Sequence, residues 1–135
     1  YDLYDDTYFI VKENSALDVK TGEELALQAL QTWGGSLPTA ILAANDAFAI
    51  GIIHTLTAQG IAVPGDISVM GINDISVSRY VSPPLSSVRA FTEEMGETGI
   101  ELLDNRISNP SVARRIFLST ELIVRESTAY PRENT

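Results

Sequence analysis

The sequence contains no cysteine, a single histidine and half as many basic as acidic residues, nine against eighteen. Without cysteine there can be no disulfide, thiolate nucleophile or cysteine-ligated metal, and a reducing compartment is permitted, so we expect a cytoplasmic protein. No apolar run approaches the roughly eighteen residues that predict a membrane span, and we expect no membrane partner. The net charge of −9 repels a phosphate backbone, so any contact with DNA should come from another part of the protein.

The length of 135 residues fits one domain, which can bury roughly two thirds of its unfolded surface. The chain begins with Tyr1 rather than methionine, and its first residues have neither periodicity nor the basic start of a leader. We therefore interpret the sequence as a piece of a longer protein.

Apolar runs and helix-like segments alternate through the first half of the chain and predict the order β-α-β-α-β. The predicted strands are 8–11, 39–44 and 67–72, and the predicted helices are 22–33 and 47–59. Thr21 and Glu24 have the spacing of a capping box before the first helix, and Asp46 stands at the expected N-cap of the second.

The second half predicts a loop over 73–84, a short strand over 85–90, a helix over 92–108 and two short strands over 114–118 and 121–125. Helix 47–59 has little polar surface and must be covered on two sides, either by its own chain or by a twofold-related subunit. Helix 92–108 has an apolar face that also needs a partner, formed by Met95, Ile100, Leu102, Leu103 and Ile107.

Two Asn-Asp pairs, Asn45-Asp46 and Asn73-Asp74, each follow one of the apolar runs. A right-handed crossover between parallel strands puts both pairs at one edge of the sheet, where such sheets bind ligands. Amides donate and accept hydrogen bonds, which suits the vicinal hydroxyls of a sugar. The alternative is that both amides satisfy loop backbone, with Asp46 as a helix cap and Asp74 as a turn residue.

Enzymatic interpretations have little support in the sequence. His54 lies on the most apolar helix, where a lone histidine is more often a packing or interface residue than a base or a ligand. There is no Gly-x-Ser-x-Gly elbow, phosphate loop or dinucleotide fingerprint, and the acidic pairs resemble neither a calcium loop nor a two-histidine metal site. We expect no catalysis, no metal and no cofactor.

Several motifs, in order, resemble the effector domain of bacterial LacI/GalR transcription regulators, named for the lactose and galactose repressors. The resemblance extends from about residue 8 to 128 and is carried by Pro-Thr-Ala-Ile-Leu-Ala-Ala-Asn-Asp at 38–46, Val-Pro-Gly-Asp-Ile-Ser-Val-Met-Gly-Ile-Asn-Asp at 63–74, Ser-Pro-Pro-Leu-Ser-Ser-Val at 82–88, Met-Gly-Glu-Thr at 95–98 and Leu-Ile-Val-Arg-Glu-Ser-Thr at 122–128.

This resemblance implies an α/β fold of the periplasmic-binding-protein-like type I class, a parallel sheet flanked by helices, and mainly the C-terminal lobe of a two-lobed sugar-binding domain. Residues 1–90 would form part of that lobe, 91–109 a helix of the other lobe, 110–128 the return strands and 129–135 a tail. The DNA-binding domain and most of the N-terminal lobe would lie outside the chain.

The resemblance also implies the functional residues. The family's ligand-binding asparagine falls on Asn45, and its carboxylate falls on Asn73, where the Gly-x-Asn-Asp form looks like regulators of galactose operons. Leu17 takes the place of the family's ring-stacking aromatic residue. We predict ligand contacts at Asn45, Asn73, Leu17 and Asp46, and a dimer interface at Ile50, Ile53, His54 and Tyr80.

The predicted function is effector binding and homodimerisation within a repressor of sugar-catabolic genes, with galactose or a galactoside as effector and operator DNA bound only through the missing domain. One alternative is a periplasmic receptor of a sugar transporter, which would have a secretory leader upstream instead of a helix-turn-helix. The other is an enzyme that uses Asp46 or Asp74.

Overall fold

Helices and strands alternate along the chain in a computed structural model that describes residues 8–13 and 16–131. The elements are α1 (Val19–Trp33), β1 (Ala40–Leu42), α2 (Asp46–Ala58), β2 (Ser68–Asn73), a short 3-10 helix (Ser76–Arg79), β3 (Ser86–Arg89), α3 (Thr92–Ser108) and β4 (Glu121–Ile123). This order confirms the predicted α/β class.

The four strands form one sheet in the order β1-β2-β3-β4. β2 pairs in parallel with β1 and β3, whereas β4 returns antiparallel to β3. The parallel β1-α2-β2 unit predicted from the sequence is therefore present, and both of its strands end on the same edge.

Two of the predicted strands are absent from the described part of the chain. Residues 8–13 lie against α1 instead of pairing with the sheet: Lys12 pairs with Glu24, and the ring centroids of Tyr8 and Trp33 are 6.4 Å apart. Residues 114–118 are exposed and irregular. β-branched and aromatic residues raise strand propensity, but a strand also needs a hydrogen-bonded neighbour, which propensity alone cannot supply.

Both N-caps differ from those predicted. α1 begins at Val19, and its N-cap is Asp18, whose side chain accepts a hydrogen bond from the Thr21 N–H at 2.8 Å. Thr21 is therefore inside the helix instead of in front of it. α2 begins one residue before the predicted start, at Asp46, so that its N-cap is Asn45.

α1 and α2 cross at two glycines that let the backbones touch. A Cβ atom on Gly51 would lie 2.1 Å from the carbonyl oxygen of Val19, and a Cβ on Gly22 would lie 2.4 Å from that of Phe48. These distances are far shorter than any van der Waals contact, so only glycine fits at either position.

α2 is covered by its own chain, because it packs against both α1 and β2. Its buried residues join those of the strands in one core, whose most deeply buried apolar members are Ala49, Leu56, Ile67, Val69 and Leu85. The chain thus covers two sides of this helix, while Ile50 and His54 on it keep exposed surface. α3 is different, since none of its residues is buried and Met95, Ile100, Leu103 and Ile107 are exposed.

The glycine crossing leads to a stability prediction. In the protein that contains this chain, Gly51→Ala should lower the free energy of unfolding by about 3 kcal/mol, because overpacking forces the two helices apart. Gly35→Ala is the matched control, since a Cβ there meets nothing within 4 Å. Urea unfolding monitored by circular dichroism measures both changes, and equal stabilities of the two variants would contradict the close crossing.

Candidate ligand-binding site

The two predicted amides follow neighbouring parallel strands at equivalent positions. β1 pairs with β2 so that Leu42 lies opposite Met70, and Asn45 and Asn73 each come three residues later. Helix α2 starts against the same edge, because the Cα of Asp46 lies 3.0 Å from the position that a Cβ on Gly71 would take. The carboxyl edge of β1 and β2, here called the site edge, therefore carries both Asn-Asp pairs.

Asn45 is half-buried and caps α2. Its Oδ1 accepts a hydrogen bond from the Phe48 N–H at 2.7 Å, which satisfies one of the free N–H groups at the start of the helix. Asp46 was expected in this role, and the difference of one residue arises because both residue types are good caps. The side-chain nitrogen of Asn45 makes no hydrogen bond within the described residues, so its two N–H groups are available for a ligand.

Asp46 is fully buried, which corrects its predicted place among the ligand-binding residues. Its Oδ2 accepts hydrogen bonds from the Ile75 N–H at 2.8 Å and the Ser78 hydroxyl at 2.7 Å. Its Oδ1 accepts a hydrogen bond from the Ser87 hydroxyl at 2.6 Å. A carboxylate without exposed surface and with three donors of its own contacts no molecule at the edge, so its role lies within the protein.

Asn73 is exposed at the end of β2 and has a backbone φ of 108°. Asp74 follows with φ of 53°, so two consecutive residues other than glycine lie in the left-handed region. Asparagine and aspartate enter this region more readily than other side chains, but such residues persist only where surrounding contacts fix them. The exposed side chain of Asn73 is therefore carried by a backbone conformation that its neighbours must hold in place.

Asp74 is the centre of an ion-pair cluster. Its Oδ2 accepts hydrogen bonds from Arg89 Nε at 2.9 Å and Arg89 Nη2 at 2.7 Å, and its Oδ1 lies 2.7 Å from Arg125 Nη2. Burial by itself would raise the pKa of Asp74, but the hydrogen bonds from Arg125 and Arg89 outweigh it and hold the pKa below the usual value. Arg89 also donates from Nη1 to Glu121 Oε2 at 2.9 Å, so the cluster holds two positive and two negative groups.

Arg89 and Arg125 were not predicted from the sequence as part of this region. They are separated from Asp74 by 15 and 51 residues, and only the pairing of β3 with β2 and β4 brings them together. One signal was available: each arginine directly follows a valine of an apolar run, Val88 or Val124, where a strand end is expected.

Leu17 lies on a neighbouring groove instead of on the site edge. A groove of about 730 Å³ is lined mainly by apolar residues of 8–12, α1 and β1, and it includes Leu17, which is 74% exposed. Neither asparagine lines this apolar groove, but Ala44 and Ile72 do, and they directly precede Asn45 and Asn73. The groove therefore ends beside the two amides and offers an apolar surface next to polar groups.

The four residues predicted at a dimer interface differ in exposure. Ile53 is 4% exposed and belongs to the core of its own chain, so it offers almost no surface to a partner. Ile50 is half-buried, and Tyr80 is 79% exposed. His54 is exposed, with Nδ1 2.8 Å from Glu23 Oε1 on α1. Three of the four therefore have surface that a partner could cover.

Within the described residues there is no group of three or more histidine, cysteine or acidic side chains placed to hold a metal ion. None of the described helices combines the length and the apolar character that crossing a membrane requires.

Comparisons with known proteins agree on one family. The family model of a periplasmic binding protein-like domain matches residues 3–128. The regulator GalR of Lacticaseibacillus casei is 40% identical over 109 residues, which cover 80% of this chain and 33% of GalR. The chain therefore spans about a third of the length of this relative.

Two solved structures are similar in fold and sequence. The complex of the transcriptional regulator CelR with cellobiose has a TM-score of 0.79 and 31% identity, over 92% of this chain and 37% of CelR. The Lac repressor dimer bound to operator and the anti-inducer ONPF has a TM-score of 0.77 and 30% identity, over 84% of this chain and 39% of the repressor chain. The predicted periplasmic-binding-protein-like fold and the family resemblance are both confirmed.

The ion-pair cluster predicts how stability depends on pH. Because the folded state lowers the pKa of Asp74, its stabilising effect is complete above the ordinary aspartate pKa of about 3.9 and is lost as the pH falls through the lower folded value. At pH 7, Asp74→Asn should reduce the free energy of unfolding by about 3 kcal/mol, since it leaves two arginines without their shared anion.

Urea unfolding of the wild type and Asp74→Asn at several pH values measures this effect, and the difference between them should shrink below about pH 4. Glu121→Gln is the control, because its exposed contact with Arg89 should contribute less than about 1 kcal/mol. A difference that stays constant down to pH 2 would show that the charge of Asp74 is not responsible.

Proposed function

Because this chain belongs to the LacI/GalR family of transcription regulators, we propose that it is the effector-binding part of a DNA-binding repressor of sugar-catabolic genes. The observation that carries this proposal is the position of Asn45 and Asn73 at the ends of adjacent parallel strands, which is where open α/β sheets bind ligands. The amides would hold the hydroxyls of the effector.

The chemistry of the site edge favours a neutral sugar. The carboxylates that directly follow the two amides already have partners within the protein. Asp46 accepts hydrogen bonds from three donors, and Asp74 forms ion pairs with two arginines. The two amides themselves are uncharged and can both donate and accept hydrogen bonds, as vicinal hydroxyls do. The apolar groove next to the amides, with Leu17 on its wall, offers a surface for the apolar face of a ring.

The effector that we propose is galactose or a galactoside. The match to GalR supports this choice, and the CelR complex supports a sugar in general, since that relative binds cellobiose. These relatives are transcription regulators, which supports a role without catalysis and a location in the cytoplasm.

We propose the same division of the chain as the sequence predicted: 1–90 in one lobe, 91–109 as a helix of the other lobe, 110–128 as the return segments and 129–135 as a tail. The exposed apolar residues of α3 support this division, because they need a covering that the described residues do not provide. Operator DNA would bind through a domain outside this chain, which agrees with a net charge of −9.

The regulator would act as a homodimer, as the Lac repressor does in its operator complex. Ile50, His54 and Tyr80 are the residues of this chain that we place at the interface. The sugar would shift the balance between two arrangements of the lobes, and it can do so only by binding one of them more tightly than the other. That shift would reach the DNA-binding domains through the dimer.

Two conservative variants test the amides in the full-length regulator. Asn73→Gly removes the amide but tolerates the positive φ, and Asn45→Asp keeps an oxygen to cap α2 but lacks the N–H donors. Each should weaken effector binding by about tenfold, the value of one lost hydrogen bond at a well-formed site, and should leave operator affinity without effector unchanged.

Calorimetry with galactose, lactose, cellobiose and ribose measures effector binding, and fluorescence anisotropy with an operator fragment that the wild type binds measures DNA affinity. Gln28→Ala, which removes an exposed amide from α1, is the control. Wild-type effector affinity in both asparagine variants would contradict the proposed site, and binding of none of the four sugars would contradict the proposed effector class.

A further inference from the structure

The buried carboxylate of Asp46 contacts the segment that directly follows Asn73. The Ile75 N–H donates to Oδ2 of Asp46, and the Asp74 N–H donates to the Ser87 hydroxyl at 3.0 Å, which in turn donates to Oδ1 of Asp46. The backbone N–H groups of both residues after Asn73 are thus fixed by one carboxylate, either directly or through a single serine.

The path of the backbone at Asn73 depends on contacts of this kind. Asn73 and Asp74 have φ values of 108° and 53°, a pair of left-handed residues that costs conformational energy unless the surroundings fix it. The hydrogen bonds to Asp46 and Ser87 begin at the very next N–H groups, so they restrain the direction in which the chain leaves β2 and, with it, the direction of the Asn73 side chain.

The carboxylate of Asp46 packs closely against the backbone of β2. A Cβ on Gly71 would lie 2.3 Å from Asp46 Oδ1, so the glycine two residues before Asn73 is what lets Asp46 lie against β2. The carboxylate also sits in the first turn of α2, whose positive end favours a negative charge. The donors, the space and the start of the helix therefore all suit a side chain that accepts hydrogen bonds at both of its oxygens.

We propose that Asp46 is a positioning residue that acts through Asn73: it contacts no effector, but it fixes the orientation in which Asn73 meets one. This inference rests on the proposed function, because it requires Asn73 to bind the sugar. It predicts that the effect of Asp46 on effector affinity disappears when the Asn73 side chain is removed.

The test uses Asp46→Asn in the full-length regulator, which preserves the shape of the side chain and turns one acceptor into a donor that faces other donors. The probe is whichever of galactose, lactose, cellobiose and ribose the wild type binds most tightly. Affinity for this sugar should fall by about tenfold or more. In the Asn73→Gly background, the same change should cost less than about twofold, because coupled residues are not additive.

Ser127→Ala is the matched control. Ser127 is also fully buried, donates to the Val69 carbonyl at 2.6 Å and accepts from the Ser86 N–H at 2.8 Å, four residues back along β2 from Asn73. Ser127→Ala should lower the melting temperature as Asp46→Asn does. It should leave sugar affinity within about twofold of the wild type, because Ser127 shares no hydrogen-bond partner with Asn73 and effects at separate sites are additive.

Hydrogen exchange gives a readout that needs no sugar. The amides of Asp74 and Ile75 should exchange at least about tenfold faster in Asp46→Asn and at the wild-type rate in Ser127→Ala. If Asp46→Asn does not fold, Ser78→Ala removes one of the three donors, keeps the charge and should produce smaller changes in the same direction.

The outcomes separate this inference from the proposed function. Wild-type affinity in Asn73→Gly overturns this inference, and wild-type affinity in Asn45→Asp as well overturns the proposed site with it. Weakened binding in Asn73→Gly together with wild-type affinity and exchange in Asp46→Asn, or in Ser78→Ala where that variant replaces it, overturns the positioning role alone. Equal losses from Asp46→Asn with and without the Asn73 side chain also overturn it, because they would show that Asp46 acts by another route.

Discussion

The structure of the site edge depends on one buried charge. A buried carboxylate without hydrogen-bond partners destabilises a protein, so Asp46 requires its three donors. Those donors come from different parts of the chain: the loop after β2, the 3-10 helix and β3. Because the carboxylate belongs to the first turn of α2, satisfying it joins the helix and the two central strands into one unit, with Gly71 providing the space.

Asp74 extends this unit toward the segments that lead to α3 and back. Arg89 is the last residue of β3, before α3, and Arg125 lies shortly after β4, on the return from it. Both arginines bind Asp74, the residue next to Asn73. Any motion of α3 relative to the sheet must pass through these two segments. The proposed ligand contact, Asn73, is therefore the backbone neighbour of the residue that binds both of these segments, which is an arrangement that coupling by differential affinity can use.

Local patterns predicted much of the fold, and their failures have physical causes. The β1-α2-β2 unit and the position of Asn45 and Asn73 followed from apolar runs and the right-handed crossover, which are local or topological rules. The prediction of a strand over 8–11 was wrong, because strand pairing depends on a neighbouring strand that propensity does not reveal. Local sequence predicts Asp46 only as a cap and a ligand contact, because its donors, Ile75, Ser78 and Ser87, are 29 to 41 residues away. The arginines around Asp74 were missed for the same reason.

The distribution of charge around the end of β2 is compatible with the exposed amide at position 73. Both aspartates at the site edge already have internal partners: Asp46 accepts three hydrogen bonds, and Asp74 pairs with Arg89 and Arg125, the first of which also pairs with Glu121. A further carboxylate at position 73 would lie next to Asp74 and would compete with it for the same arginines. An amide avoids that competition and still offers donors and an acceptor. The neutral side chain at this position is thus consistent with the ion pairs that fix the loop, and it gives the proposed sugar site hydrogen bonds in both directions.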